Sequence, residues 1–296
     1  MDGLLLIDKP SGPTSHDVVA RIRRSSGERS IGHTGTLDPR ATGLLPLLVG
    51  RATRLASLLI GSDKTYEAAV RLGMSTDTDD EEGAPLGERQ GDLPGDTTVM
   101  TALSRFTGTI EQIPPQHSAK HVDGQRAYQL ARKAKPVPLK PVAVTVRRLD
   151  WRGREGDLLY LAVTASPGFY VRALARDLGA ALGCGAHLAG LRRTAIGPFS
   201  VESALPLPVA ESCGREIVTR LIPPAEALPH LPAVTVNVAG LRRVRHGNEI
   251  GPEHLETSWV ASLGQAAPVR ILDSGGHLVA VGKPRGGALH PVVVLG

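Results

Sequence analysis

The sequence predicts a protein of mixed α and β structure that ends in a small β-rich unit. Three observations predict it. Tyr66, Ala68, Val70 and Leu72 alternate with Glu67, Ala69 and Arg71, the period-2 pattern of a half-buried strand. Leu158 to Thr164, the turn Ser166-Pro167-Gly168 and the stretch Phe169 to Leu182 read as strand, turn and helix, with Val171, Leu174, Leu178 and Leu182 on one face and Gly183 past the end. The last 65 or so residues break into short apolar or alternating runs between glycine-containing turns: Val234 to Val238, Val269 to Leu272, Leu278 to Val281 and Pro291 to Leu295.

In chain order, Leu4 to Ile7 is a short apolar run ended by the turn Lys9-Pro10-Ser11-Gly12. Thr14-Ser15-His16-Asp17 offers a capping box for a helix through Val18 and Ile22 to about Gly27. Gly32 to Arg54 is crowded with Gly, Thr and Pro and has no clear period. Asp77 to Glu82 reads as a solvated acidic turn opening a Gly/Pro-rich loop, Val99 to Thr107 as a helix, and Gln112-Ile113-Pro114-Pro115 as a break. Prolines at 206, 208, 223, 224, 229 and 232 suggest a linker holding a helix or two.

With 296 residues there is length for about two domains. Two cysteines, Cys184 and Cys213, form no C-x-x-C pair and no disulfide framework, so a reducing compartment is expected. The start of the chain lacks the pattern of a signal peptide, and no apolar run approaches the ~18 residues of a membrane span. A cytoplasmic protein without membrane contact is expected. The charge balance, 34 Lys+Arg against 29 Asp+Glu, permits a polyanionic partner. Its asymmetry is sharpest from His117 to Arg148, where eight Lys/Arg face a single acid, Asp123.

Several chemistries fail on their motifs. No G-x-x-x-x-G-K-[ST] is present, and Leu188 stands where a dinucleotide fingerprint begun at Gly183-Cys184-Gly185 needs its third glycine. Glu82 occupies the position where a calcium loop through Asp77, Asp79, Glu81 and Glu88 requires glycine. Ser15-His16-Asp17 are adjacent in sequence, whereas a hydrolase triad converges in space.

What remains is Gly32-His33-Thr34-Gly35-Thr36-Leu37-Asp38-Pro39-Arg40-Ala41-Thr42-Gly43. Asp38-Pro39 reads either as a helix N-cap with proline at N1, or as a carboxylate held on a rigid loop for nucleophilic or base chemistry. Arg172 falls in the first turn of its helix, where the dipole disfavours a cation. It is either a solvent-facing arginine or one paired with a carboxylate that it keeps ionised. Tyr66 is a core tyrosine or a stacking platform, and His33 a loop histidine or a residue inserted into nucleic acid.

These residues closely resemble the TruB family, the bacterial tRNA pseudouridine-55 synthases. The likeness runs from Gly3-Leu4-Leu5-Leu6-Ile7-Asp8-Lys9-Pro10 through the Asp38 segment, Lys64-Thr65-Tyr66, Thr76-Asp77-Thr78-Asp79-Asp80 and Gly168-Phe169-Tyr170-Val171-Arg172 to His187 and Thr194. The resemblance implies a pseudouridine synthase fold: α+β, with a mixed, largely antiparallel central sheet and flanking helices. It implies a catalytic domain over 1–228, with a basic tRNA-binding insertion at about 112–148, and a PUA-like RNA-binding β-barrel over 229–296. It further implies isomerisation of the uridine at position 55 in the tRNA T arm, by base flipping and without cofactor, metal or guide RNA, by a monomer.

By the same resemblance Asp38 is the catalytic aspartate, Arg172 its partner and Tyr66 the tyrosine on the flipped base. Leu191 lines the pocket with Tyr170, Asp80 contacts the network, and His33 fills the space that the base leaves. Lys9 and the stretch around Lys120, Arg126, Arg132 and Lys133 would neutralise phosphates. Where relatives read Ser-Ala-(apolar)-Lys, this chain reads Ser118-Ala119-Lys120-His121, so Lys120 stands only as a candidate RNA contact.

Overall fold

The computed structural model describes residues 1–116, 121–122, 125–126, 139–256 and 267–295. Its centre is a ten-stranded sheet. The strands are β1 (Gly3–Lys9), β2 (Ile31–His33), β3 (Thr42–Val49), β4 (Lys64–Leu72), β5 (Gly108–Gln112), β8 (Val142–Glu155), β9 (Leu158–Ala165), β10 (Ala186–Ile196), β11 (Phe199–Ser200) and β12 (Leu205–Pro206). The strands β6 (His121–Val122) and β7 (Gln125–Arg126) pair with each other apart from it. The order β12-β1-β3-β10-β4-β9-β8-β5 is antiparallel except at β12–β1 and β3–β10, with β2 beside β3 and β11 beside β10. The expected mixed, largely antiparallel sheet is therefore present.

The helices α1 (Ser15–Ser26), α2 (Ala56–Ile60), α3 (Asp96–Leu103), α4 (Val171–Leu182) and α5 (Leu207–Ser212) belong with this sheet. Thr14 caps α1 in a full capping box with Asp17, and Gly27 closes it in the left-handed region, where a glycine has no Cβ to clash. Val18, Val19 and Ile22 lay one face of α1 against Leu5, Ile7, Leu45 and Leu47 of the sheet. On the other half, Leu174 and Leu178 of α4 pack on Val70, Leu161 and Val163. Both helices bury an apolar stripe, which is what fixes their distance from the strands that carry the site.

Several expectations need correction. Asp38-Pro39 starts no helix: the Ala41 amide donates to the Asp38 carbonyl at 3.1 Å, closing a turn that feeds directly into β3. The helix expected from Phe169 begins at Val171, because Tyr170 is extended (φ −116°, ψ 117°) and its backbone is held by Gln112. The helix expected over Val99 to Thr107 runs from Asp96 to Leu103 and tightens to a 3-10 turn through Phe106. The proline-rich segment is no free linker: Leu4 and Ile222 exchange two 2.8 Å backbone bonds, and Ala227 and Leu228 are buried.

The C-terminal unit is not all β. After β13 (Ala233–Thr235), Asn237 caps α6 (Val238–Arg245) by accepting from the Gly240 amide, so the run through Val238 turns helical. A four-stranded sheet, β13-β14-β15-β16, with β14 (Val269–Leu272), β15 (Leu278–Arg285) and β16 (Ala288–Val294), completes the unit among the described residues. Among the described residues these four strands make one sheet in the order β13-β14-β15-β16. Leu278, Val281 and Leu295 share an apolar cluster with Leu4, Leu44 and Leu55, so the unit is seated on the large sheet. Among the described residues no helix is long and apolar enough to cross a membrane.

Candidate active site

The short parallel contact between β3 and β10 positions the site. Gly43 pairs with Arg193 at φ +100°, and a Cβ there would lie 2.2 Å from the Arg193 carbonyl oxygen. Only glycine allows this approach. It brings the loop 34–41, which enters β3, onto the middle of β10.

That loop is fastened from several sides. The buried Ser15 hydroxyl receives the Leu37 amide at 2.9 Å and reaches the Leu37 carbonyl at 3.1 Å. Lys9 is fully buried, and its ammonium donates to the carbonyls of Pro39 (2.8 Å), Pro13 (2.8 Å) and Pro10 (3.0 Å). Burial lowers its pKa to about 8, with nearby Asp38 opposing and Arg193 adding to the shift. The expectation that Lys9 neutralises a phosphate does not fit this placement, since all three ammonium hydrogens go to carbonyls. Lys9 braces the Asp38 loop instead.

Asp38 projects from the loop toward α4, where Arg172 Nη2 meets its Oδ2 at 3.1 Å. Arg172 is buried in the second position of α4, the wrong end of the helix dipole for a cation. Two carboxylates compensate: Asp38, and Asp80 at 3.4 Å from Nη1, which also donates to the Thr78 carbonyl at 3.3 Å. Of the two readings open for Arg172, the paired one holds. Crowding by protein pushes the Asp38 pKa above the usual 3.8, Arg172 pulls it back, Asp80 and Glu82 push it up, and Lys9 lowers it.

Asp80 is held in turn by the Thr78 hydroxyl at 2.6 Å and the Glu82 amide at 3.1 Å. Its turn is stitched to β10 through Glu81 N to Leu188 O and Leu188 N to Asp79 O, both 3.0 Å. Asp79, at φ +63°, faces Arg176 at 2.9 Å. The segment read as a solvated acidic turn is thus a clamp on the two arginines of α4. Among the described residues no group of three or more His, Cys, Asp or Glu side chains is set to hold a metal ion.

A recess of about 280 Å³ opens beside Asp38, lined by Tyr66, Tyr170, Leu191, Lys64 and Arg193 among others. Tyr66 is 8% exposed within the core cluster, which bears out the core reading, and it also forms part of the recess wall. Burial raises its phenol pKa, while the nearby positive charge of Arg193 pulls it down. A smaller recess of about 170 Å³, which shares Asp38, Arg172 and Leu191 with the first, is lined also by Asp80, Glu81, Glu82 and Arg40. The arrangement offers a carboxylate, a fixed cation beside it, an aromatic face and an apolar leucine around one cavity.

Asp38, Tyr66, Arg172, Asp80, Tyr170 and Leu191 are therefore brought together. His33 lies at the end of β2 outside the recess lining, with Nε2 3.2 Å from the Thr36 hydroxyl. Lys120, Arg132 and Lys133 lie outside the described residues, as does the side chain of Arg126. Two functional candidates escaped the sequence reading: Arg193 and Lys64. Both stand inside recognisable strings, but only the register of β4 on β10 sets Arg193 opposite Tyr66.

Comparison with known proteins identifies the family. The model of the TruB family pseudouridylate synthase N-terminal domain matches residues 23–171, and that of the tRNA pseudouridylate synthase B C-terminal domain matches residues 172–228. The chain is 44% identical over 302 residues to tRNA pseudouridine synthase B of Thermobifida fusca (strain YX), covering 99% of this chain and 98% of that one. It is 42% identical over 300 residues to the enzyme of that name from Solibacter usitatus, with both chains covered fully. Among solved structures it is similar to a Cbf5-Nop10-Gar1 complex (TM-score 0.78, 28% identity, 99% of this chain and 85% of that one). It is also similar to an H/ACA RNP bound to a substrate RNA containing 2'-deoxyuridine (TM-score 0.77, 26% identity, 99% and 85%).

Proposed function

Since the chain belongs to the TruB family and is a tRNA pseudouridine synthase, an isomerase of uridine in tRNA, we propose that its target is the uridine at position 55 in the T-arm loop. The uracil is detached from N1, turned and rejoined to the ribose through C5, with no cofactor and no guide RNA. The observation that carries this reading is the Asp38–Arg172 pair, 3.1 Å apart, at the mouth of a recess walled by Tyr66 and Leu191. Whether a carboxylate adds to the base or assists cleavage at the sugar, it must be ionised and next to the glycosidic bond.

The target is stacked in a folded loop and is extruded at a cost of a few kcal/mol before it can enter the recess. Tyr66 and Leu191 sandwich the base, Tyr170 closes the rim, and Asp80 holds Arg172 for Asp38. His33, at the end of β2, fills the gap left in the RNA. The basic insertion at about 112–148 and a PUA-like RNA-binding unit over 229–296 hold the rest of the tRNA, chiefly through its shape and phosphates. The family-model match ending at residue 228 supports that boundary. The enzyme acts as a monomer in the cytoplasm.

The test is pseudouridine formation in an unmodified T-arm hairpin, mapped by nucleotide, with purified protein and nothing else. Conversion confined to the T-loop uridine and abolished by Asp38→Asn is the expected result. Conversion only when a guide RNA is added, or at another uridine, would overturn the assignment.

A further inference from the structure

Arg193 is a cation out of place. It is 1% exposed, cannot lose its charge in a protein, and among the described residues has no carboxylate within ion-pair distance. Its neighbours are instead other cations, Lys9 and Lys64, each of whose pKa it helps to depress. A buried charge without an opposite charge is costly, so a fold that keeps one at its site is a candidate for using it.

The guanidinium reaches three things at once. Nε donates to the Leu44 carbonyl of β3 at 2.8 Å, Nη2 to the Gly35 carbonyl of the Asp38 loop at 2.7 Å, and the group lies beside the phenol of Tyr66, its register partner across the β4–β10 ladder, in the lining of the same recess. Gly35 sits at φ +71°, and a Cβ there would come within 3.3 Å of Nη1, so the loop is moulded around this arginine. A guanidinium has donors only. A hydrogen bond between the two can run only from Arg193 to the phenol oxygen, which leaves the phenol's own hydrogen to point into the recess that both residues line.

We propose that Arg193 is a positioning residue that holds the Tyr66 hydroxyl as a hydrogen-bond donor to the base and places a fixed positive charge behind it. This rests on the reading of the recess as the uracil site. In either route the base takes up an electron pair: when the C1'–N1 bond breaks the pair stays on the uracil, and when Asp38 adds to the ring the pair moves onto a carbonyl oxygen. The pair is used when C5 bonds to C1', and the proton then lost from C5 is balanced by one gained at N1, so that the product is an isomer of the substrate. Preorganised donors aimed at charge that develops only during reaction act on kcat rather than on binding.

The experiment is single-turnover kinetics on the T-arm hairpin for wild type, Arg193→Gln, Tyr66→Phe and the double variant, with hairpin affinity measured over a range of salt. Arg193→Gln is expected to lower the rate constant about tenfold or more, to leave affinity and its salt slope unchanged, and to cost under about twofold once residue 66 is phenylalanine. Equal losses in both backgrounds, or a flatter salt slope, would overturn the proposal, the second by making Arg193 a phosphate contact. Should Arg193→Gln not fold, Tyr66→Phe decides alone: it removes one oxygen, and an unchanged rate constant would leave Arg193 nothing to act through. Failure of wild type to convert the hairpin would instead strike at the reading of the site itself.

Discussion

Arg172 and Asp80 are bound to each other at 3.4 Å, and Asp80 belongs to a turn stitched into β10, so the cation that faces Asp38 is anchored independently of it. Asp38→Asn should therefore leave the fold and tRNA affinity intact while removing activity altogether. Parallel measurements of thermal unfolding, hairpin binding and pseudouridine yield check this; a large loss of affinity would point to a binding role for the carboxylate.

Arg172→Lys keeps the charge but cannot reach two carboxylates and the Thr78 carbonyl together. A loss of about 10²-fold in kcat with affinity changed less than about twofold is expected, by analogy with removing one preorganised donor from an active site. Steady-state kinetics on the hairpin would show whether the loss falls in kcat or in KM.

Because the Asp38 pKa is raised above 3.8 and the reaction needs the ionised form, activity should fall with acidification through a pKa above the ordinary carboxylate value. Glu82 contributes to that rise through its charge, so Glu82→Gln should move the acid limb of the pH–rate profile to lower pH. A limb that stays fixed would separate Glu82 from the site.

Lys9 gives a stability prediction of opposite sign to the usual paired lysine. Its pKa falls from 10.5 to about 8 on folding, so between those values the unfolded chain binds more protons and the contribution of Lys9 to stability grows as pH rises. Lys9→Met should abolish that part of the slope and, by stranding the carbonyls of Pro10 and Pro13 while Pro39 keeps only its bond from the Gly12 amide, cost about 2 kcal/mol at neutral pH. Denaturant titrations at pH 7 and pH 9 measure both, and the salt slope of tRNA binding should not change.

Gly43→Ala should be among the most damaging single methyl additions, at about 3 kcal/mol or more, because it meets the Arg193 carbonyl at 2.2 Å and asks an alanine to adopt φ +100°. Ala substitution at Gly12, also at positive φ but with nothing within 4 Å, is the control: it should lose only the backbone strain.

Much of the site was legible in the chain because the chemistry-bearing residues sit in long, ordered strings. Asp38, Tyr66, Asp80, Arg172 and Leu191 all converge as the family resemblance implies. Local signals also held where they were strong: the Thr14 capping box and Gly27 bound α1, and period 2 marks β4. What stayed hidden depends on contacts distant in sequence. Lys9 reads as a phosphate contact until β1 is seen to bury it under Pro39, and no local pattern marks Arg193 as the partner of Tyr66. Asp38-Pro39 looked like a helix start because the same dipeptide also suits a turn into a strand.

The placement of β10 bears on when during synthesis this chain first becomes an enzyme. It pairs on one side with β3 and on the other with β4, and among the described residues it is the only strand on the sheet's main path that joins the Asp38 half to the Tyr66 half. Chains emerge N-terminus first. Until residue 193 has left the ribosome, the carboxylate and the tyrosine belong to two sheets with no common edge, and an unfinished or truncated product carries the reactive groups without a cavity to use them.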